Sequence, residues 1–373
     1  MRRVETPREL ERFVRFPWRI YANDKRWVAP LIGMQRDKLD AAKNPYWQRA
    51  TRALFIASRG GDVVGTIAAI VDRERPASQS NAGMFGFFEC TDDPEVARAL
   101  IDTASSELRT HGLARMIGPY NPSAADEYGI LVDGFDTRPA LIEAHSPRYY
   151  PSLMEAAGME KYHDAYAWLV RTKPGQTQAA DSLPSRLSDV AKAIGRNGTV
   201  TTRPLNLARW DDEVRLVCEL FNASLATVPD FVPVSVAEFR ALAESFRPFV
   251  DPELIRFVER DGKPVAFALA VPDINEALQV ANGRLFPFGA LKIWWKQRHL
   301  TRASFKILCV LPKYRHRGYD AVLVLDVAQK ILERGYTEVD LSMTGEENTK
   351  INGYLMALGL DIYRRYRIYS RAL

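Results

Sequence analysis

Hydrophobic and polar positions fall into two similar series along the chain. In the first, ASRGGDVVGTIAAIVD (57–72) sets β-branched runs on either side of Gly60-Gly61-Asp62, the pattern of a hairpin. The strand-like GMFGFFEC follows. A helix is then predicted over 94–111, with a capping acid before it and Pro94 in its first turn. The short apolar ARMIG reads as the next strand. In the second series, ERDGKPVAFALAVPD (259–273) turns on Asp261-Gly262, FKILCVL is the next strand, a helix is predicted over 319–334, and TEVDLSM is a further strand. Each series closes on a comparable segment, LMEAAGMEKYHDAYAW from Leu153 and LMALGLDIYRRYRIYS from Leu355. The duplication has a period of roughly two hundred residues. Each half reads as a mixed sheet flanked by helices, an α/β (α+β) unit. The polar, Pro/Gly/Ser-rich TKPGQTQAADSLPS (172–185) predicts a linker. The expected units are therefore 1–171, a connection over 172–198, and 199–373.

With 373 residues, 47% of them hydrophobic, the chain can bury a core in each half. No apolar run approaches the ~18 residues that span a bilayer. The first residues, MRRVETPRELERF, lack an apolar signal core, so the expectation is a soluble, cytoplasmic protein. Cys90, Cys218 and Cys309 sit in apolar surroundings and read as buried thiols; neither a disulfide framework nor a metal site is expected. Net charge is +5, but nine Lys/Arg and no Asp/Glu fall between Arg284 and Tyr319. That one-sidedness points to an anionic partner.

The basic loop PKYRHRG (312–318) lies between the strand FKILCVL and a helix. A helix N-terminus offers unpaired amides and partial positive charge. Glycine lets a ligand approach the backbone, and arginines grip phosphate through two bonds at once. Arg315, His316, Arg317, Gly318 and Tyr319 thus form a candidate pyrophosphate cradle. The matching place in the first half, Thr91-Asp92-Asp93-Pro94-Glu95, carries three carboxylates and should repel an anion.

The pattern Val-Leu-Pro-x-Tyr-Arg-x-Arg-Gly at this joint resembles the GNAT superfamily of N-acyltransferases. Their [Q/R]-x-x-G-x-[G/A] loop binds the pyrophosphate of coenzyme A. Arg315, Gly318 and Asp320 take the three fixed positions, with Asp320 in place of the family's small residue. NTKINGYLMALG (348–359) resembles the family's N-x-x-A-x-x-x-Y-x-x-x-G helix: Asn348 and Gly359 match, and Leu355 stands where the family has a tyrosine that protonates the leaving thiolate, one place from Tyr354. The resemblance implies two tandem GNAT-like domains, a degenerate one on the acceptor side and one holding the donor loop. It implies that FKILCVL runs beside the pantetheine, with an amide near Cys309 or Leu311 as oxyanion donor. It implies acyl-CoA, or an acylated carrier protein, as co-substrate rather than a permanent cofactor. Whole segments, among them PWRIYANDKRWVAPL and EENTKINGYLMALGLDIYRRYRIYSRAL, look like bacterial tandem-GNAT sphingoid-base N-acyltransferases, the ceramide synthase group. That likeness implies a lipid amine as acceptor.

Acyl transfer from a thioester to an amine needs a base, a polarised carbonyl, an acid for the thiolate and exclusion of water. Glu347 (beside Glu346) and His145 are the base candidates, Asp340 lies within the preceding strand, and Tyr354 is the candidate acid. Asn121, Glu127, Glu143 and Tyr150 belong to a long polar loop expected to hold the acceptor. LFPFGALKIWWKQRHL (285–300) mixes aromatics with cations. It reads either as a helix covering the sheet or as a surface for peripheral contact with the inner face of a membrane. No nucleic-acid module is recognised. The expectation is an N-acyltransferase joining a long acyl chain to a sphingoid base. A small-amine or amino-acid acetyltransferase, a tRNA-dependent aminoacyl transferase, and a non-catalytic thioester-binding protein are the alternatives. Asp320 and Leu355 support the last.

Overall fold

Both predicted hairpins form. In the structure, a computed structural model that describes residues 1–123, 126–173, 175–181, 183–195, 199–228 and 231–373, helix α1 (Pro7–Arg15) precedes strand β1 (Ala50–Arg59). β1 turns at Gly60-Gly61, both at positive φ, into β2 (Asp62–Asp72), and β3 (Ala82–Cys90) extends the meander. The Asp93 carboxylate accepts from the Glu95 and Val96 amides and so opens α2 (Pro94–Thr110). β4 (Arg115–Gly118) then pairs parallel to β3, but only along Ala82–Met84.

The second half repeats this. After β5 (Glu160–Arg171), helix α3 (Ser185–Gly195), β6 (Val200–Pro204) and helices α4 (Trp210–Leu225) and α5 (Val236–Phe246), β7 (Ile255–Arg260) turns at Asp261-Gly262 into β8 (Lys263–Pro272). Helix α6 (Gly289–Lys296), β9 (Arg302–Val310), α7 (Tyr319–Glu333) and β10 (Glu338–Gly345) follow. β9 and β10 run parallel and pair only over Arg302–Ser304. Helix α8 (Thr349–Ala357) leads to β11 (Ile362–Ala372).

The two closing strands cross over. β11 lies antiparallel between β4 and β5, inside the first half, while β5 pairs antiparallel with β10 of the second. The order is Arg2–Arg3, β1, β2, β3, β4, β11, β5, β10, β9, β8, β7, β6, with Ile130–Asp133 paired to β11: one 13-stranded sheet among the described residues. The units 1–171 and 199–373 are halves of the sequence, but they share this sheet. The stretch 172–198, expected as a linker, contains α3, which packs on α7; residues 174, 182 and 196–198 lie outside the described set.

Apolar alternation along the strands fills both faces. Ile67 and Ala69 of β2 meet Leu100 and Ala104 of α2, while Ala68 and Ile70 face Phe13 and Trp47. In the second half Val258 and Ala268 meet Leu323 and Val327 of α7, and Phe257 and Phe267 meet Val214 and Val217 of α4. Among the described residues no helix is long and apolar enough to cross a membrane.

Removing β11 leaves the facing edges of β4 and β5 without partners, so truncation after Asp361, and likewise fragment 1–171, should give aggregated or molten protein rather than a folded half. Circular dichroism and urea unfolding check this; a cooperative unfolding transition for fragment 1–171 is the contrary result.

Candidate active site

Where β9 and β10 stop pairing they open a wedge. Lys306 sits at its base as the bulged residue of β9, since Phe305 pairs with Ala270 and Ile307 with Leu269. Its ammonium reaches the fully buried Asp340 carboxylate at 2.8 Å, and Ser304 Oγ donates to the same oxygen at 3.1 Å. Asp340 and Glu143 hold the Lys306 pKa up against burial, so the side chain stays cationic. Lys306, Ile307, Ser342 and Met343 line a cavity of about 740 Å³ whose far wall is Phe221 and Phe239. Leu311 N–H donates to the Val265 carbonyl at 3.0 Å, and Cys309 is opposite Phe267 in the same alternating set. Their amides therefore point to β8. The amides of Leu308 and Val310 point into the wedge. Of the amides near Cys309 and Leu311, where an oxyanion donor is expected, these two are the ones free to face a ligand. Burial pushes the Cys309 thiol up to about 11, which removes it as a nucleophile at neutral pH.

The first half has the matching wedge, but it is plugged. Asn121 Oδ1 accepts from the Phe87 amide at 2.6 Å, and a Cβ on Gly86 would stand 1.7 Å from the Tyr120 carbonyl oxygen. Asn121 thus closes a site rather than only offering a side chain to a ligand. Beside the plug lies a second cavity of about 220 Å³. It shares Met34, Lys38, Asp126, Ile142, Leu242 and Ser245 with the larger one, so the two cavities adjoin at these residues. Trp18 and Trp27, edge to face at 5.3 Å, line its apolar side.

One acid on this cavity escaped sequence reasoning. Glu89, the polar residue of GMFGFFEC, lines it. Tyr150 Oη donates to Glu89 Oε2 at 2.6 Å and accepts from the Cys90 amide at 2.9 Å. Tyr21 Oη donates its single proton to the His145 carbonyl at 3.0 Å, so its 3.5 Å contact with Glu89 closes when the carboxyl carries a proton. Burial pushes the Glu89 carboxyl up to about 8. A lone acid in an apolar strand was the available signal. Tyr150, expected to touch substrate, is buried and supports Glu89 instead.

His145 is held on both sides. Arg364 Nη2 lies 3.2 Å from Nδ1, and Arg can only donate, so Nδ1 carries the lone pair and Nε2–H donates to Asp24 at 2.7 Å. Burial lowers its pKa, and the Arg364 charge acts in the same direction. The expected base is therefore a neutral imidazole with its lone pair occupied. Glu143, also on the cavity, accepts through Oε2 from the Ala140 amide, Tyr363 and Tyr366, while its buried Oε1 has no partner. Burial raises its pKa, followed by the Asp340 charge. Glu127 lines the same cavity.

The cradle is partly as expected. Among the described residues the amides of His316, Arg317 and Gly318 meet no acceptor, and Arg317 and His316 are exposed. Arg315 is committed elsewhere: its guanidinium binds the Ser224 carbonyl and Thr227 Oγ1 (3.1 Å) at the end of α4. Tyr319 is a core residue, packed with Leu323. Gly318 has φ 79°, and a Cβ there would lie 2.5 Å from Val190 Cγ1 of α3, so its close neighbour is that helix. Asn348 caps α8 through the Ile351 amide, at 3.4 Å. Tyr354 is exposed on α8. Glu347 is exposed, folded back over Gly345 and off both cavities, and Glu346 pairs with Lys161 at 2.7 Å. Among the described residues no cluster of His, Cys, Asp or Glu could hold a metal ion.

No protein-family model matches the chain. The protein named bacterial ceramide synthase, from Caulobacter vibrioides (strain NA1000 / CB15N), is 32% identical over 378 residues, spanning 99% of this chain and 96% of that protein. Protein YghO of Escherichia coli (strain K12) is 29% identical over 372 residues, spanning 98% and 93%. A solved tandem GNAT protein from the clavulanic acid biosynthesis pathway superposes with a TM-score of 0.55 at 11% identity, over 99% of this chain and 97% of that one. The glucosamine N-acetyltransferase region of a fungal multi-domain β-N-acetylglucosaminidase gives 0.58 at 12% identity, over 99% of this chain and 38% of that one. The fold is that of a tandem GNAT protein.

Two measurements follow from this geometry. Arg315→Ala should cost about 1–3 kcal/mol of stability by leaving the Ser224 carbonyl of α4 without this donor, whereas Lys313→Ala with Arg317→Ala should leave stability unchanged and weaken a CoA thioester about tenfold at low salt; urea unfolding and calorimetric titration separate the two. The Glu89 carboxyl, at 4.5 when unperturbed and about 8 when folded, stays protonated in the folded chain while the unfolded chain ionises. Its contribution to stability is complete below the lower value and lost as pH rises to the upper one. Glu89→Gln should flatten that decline in urea titrations across the window.

Proposed function

Since the chain belongs to the bacterial ceramide synthase family, we propose that it transfers a long acyl chain from a thioester to the amine of a sphingoid base. The protein is an N-acyltransferase acting on a lipid amine. The observation that carries the finer reading is the pair of adjoining cavities, one opening on the wedge and the other lined by a buried, protonated acid. The thioester carbonyl lies in the wedge against the outward amides of Leu308 and Val310, with Lys306 adding positive charge as the oxyanion forms. The donor's anionic end, whether coenzyme A or a carrier protein's phosphopantetheine, meets Lys313, His316, Arg317 and the N-terminus of α7. The acceptor head occupies the smaller cavity, where Glu143 Oε1 suits a hydroxyl donor and Glu89 suits the amine.

Glu89 acts as the base. The reacting amine attacks the thioester carbon, the C–N bond forms as the C–S bond breaks, and the amine's surplus proton passes to the Glu89 carboxylate. An acid near pKa 8 is a better proton acceptor than an ordinary carboxylate. The thiolate leaves to solvent at the exposed rim. Because the acceptor is a membrane lipid, the protein works at a membrane surface from the cytoplasmic side. A second reading, thioester binding without transfer, is favoured by Leu355 in the place of the family tyrosine; product formation excludes it.

Turnover of sphinganine with a palmitoyl thioester should rise with pH through about 8 in the parent. In Glu89→Gln it should fall by about 10²–10⁴ and lose that inflection, with donor affinity unchanged. Each buried methylene contributes about 0.8 kcal/mol, so palmitoyl donors should outpace acetyl donors by orders of magnitude. Faster acetylation of small polar amines counts against the lipid reading.

A further inference from the structure

Residues 284–298 form an exposed apolar platform with a cationic rim. Phe286 is 87% exposed, Phe288 66%, Leu291 61% and Trp295 60%, with Leu285 and Trp294 beside them. So much contiguous aromatic and aliphatic surface is unusual on a soluble face and marks an interaction site. Only Gly289 and Ile293 of α6 turn inward. Ile293 packs with Leu141, Leu278 and Phe246, and those three also wall the acceptor cavity on their other side. The platform is tied to the first half as well: Trp18 Nε1 donates to the Asn282 carbonyl at 3.2 Å, and Gln279 Nε2 donates to the Lys25 carbonyl at 2.8 Å. Around it stand the exposed cations Lys25, Arg26, Arg284, Lys292 and Arg298, the last 3.6 Å over the Trp294 ring. The acid beneath, Glu276, is buried and paired with Arg138 and Lys296. Aromatic and aliphatic tips among exposed cations match the boundary between acyl chains and anionic headgroups.

We infer that this platform docks on the surface of an anionic phospholipid bilayer and holds the wall of the acceptor cavity against it, so that a lipid amine passes between bilayer and cavity without crossing water. The choice of a bilayer over a protein partner rests on the lipid-amine reading above; the binding measurement does not. In co-sedimentation, the parent should bind vesicles of phosphatidylcholine mixed with phosphatidylglycerol, and bind phosphatidylcholine alone about tenfold more weakly. Phe286→Ser with Phe288→Ser and Trp295→Ser should abolish binding, and Lys292→Glu with Arg298→Glu should weaken it about tenfold on the mixed vesicles only. These side chains are exposed, so circular dichroism should show an unchanged fold. The triple variant should acylate detergent-dispersed sphinganine like the parent and vesicle-embedded sphinganine poorly. Vesicle binding by the triple variant equal to the parent's overturns the inference, as does a parent that self-associates through this face and ignores vesicles. Vesicle binding that depends on the platform, without acylation of any lipid amine, upholds the surface and removes the proposed reaction.

Discussion

The guanidinium of Arg364 holds the two halves in one structure. It is fully buried on β11, a strand of the second half threaded through the first. It donates to the carbonyls of Thr137 (2.6 Å) and Ala144 (3.1 Å), to Tyr366 Oη (2.6 Å) and to His145 Nδ1 (3.2 Å). A charge taken from water costs several kcal/mol unless its donors are satisfied, and these acceptors all come from the loop that walls the smaller cavity or from β11 itself. That loop is irregular backbone carrying polar residues, yet the buried cation fixes its course. The tautomer of His145 and the course of the backbone that carries its carbonyl and Glu143 depend on it.

The same logic separates the two wedges. Gene duplication would leave two equivalent openings between parallel strands. In this chain the first is filled by Asn121 and the Tyr120 backbone, and the second keeps outward amides and the Lys306–Asp340 pair. The half whose wedge is filled is nevertheless the one that carries Glu89. Burial holds the carboxyl in that apolar wall neutral, and its Oε2 accepts from Tyr150.

Local structure was legible in the residues. Gly60-Gly61 and Asp261-Gly262 announced their hairpins, Asp93 its helix, and the alternation of β2 its two-sided burial. What was not legible depends on partners far along the chain. Arg315 read as a phosphate ligand because nothing nearby shows that Ser224 and Thr227 take its guanidinium. The oxyanion donor read only as an amide near Cys309 or Leu311, because pointing alternates by single residues and the register with β8 includes a bulge at Lys306. Tyr319, at the start of its helix, read as part of the phosphate cradle and is core. His145 looked like a base because its sequence neighbours are polar, whereas burial lowers its pKa and Asp24 and Arg364, far away in sequence, fix its tautomer. The exchange of β5 and β11 was invisible: alternation identifies a strand, never its neighbour.

That exchange has a consequence for how the chain is made. The pair Gly118 and Tyr369 on β4 and β11 is separated by 251 positions (369 − 118). Contacts so distant close late, and topologies rich in them fold slowly. During synthesis the first half emerges with β4 and β5 exposing two unpaired edges, and they stay open until β11 has left the ribosome. A nascent chain in that state is a template for wrong pairing. The stability of the finished sheet gives the chain no protection during that interval.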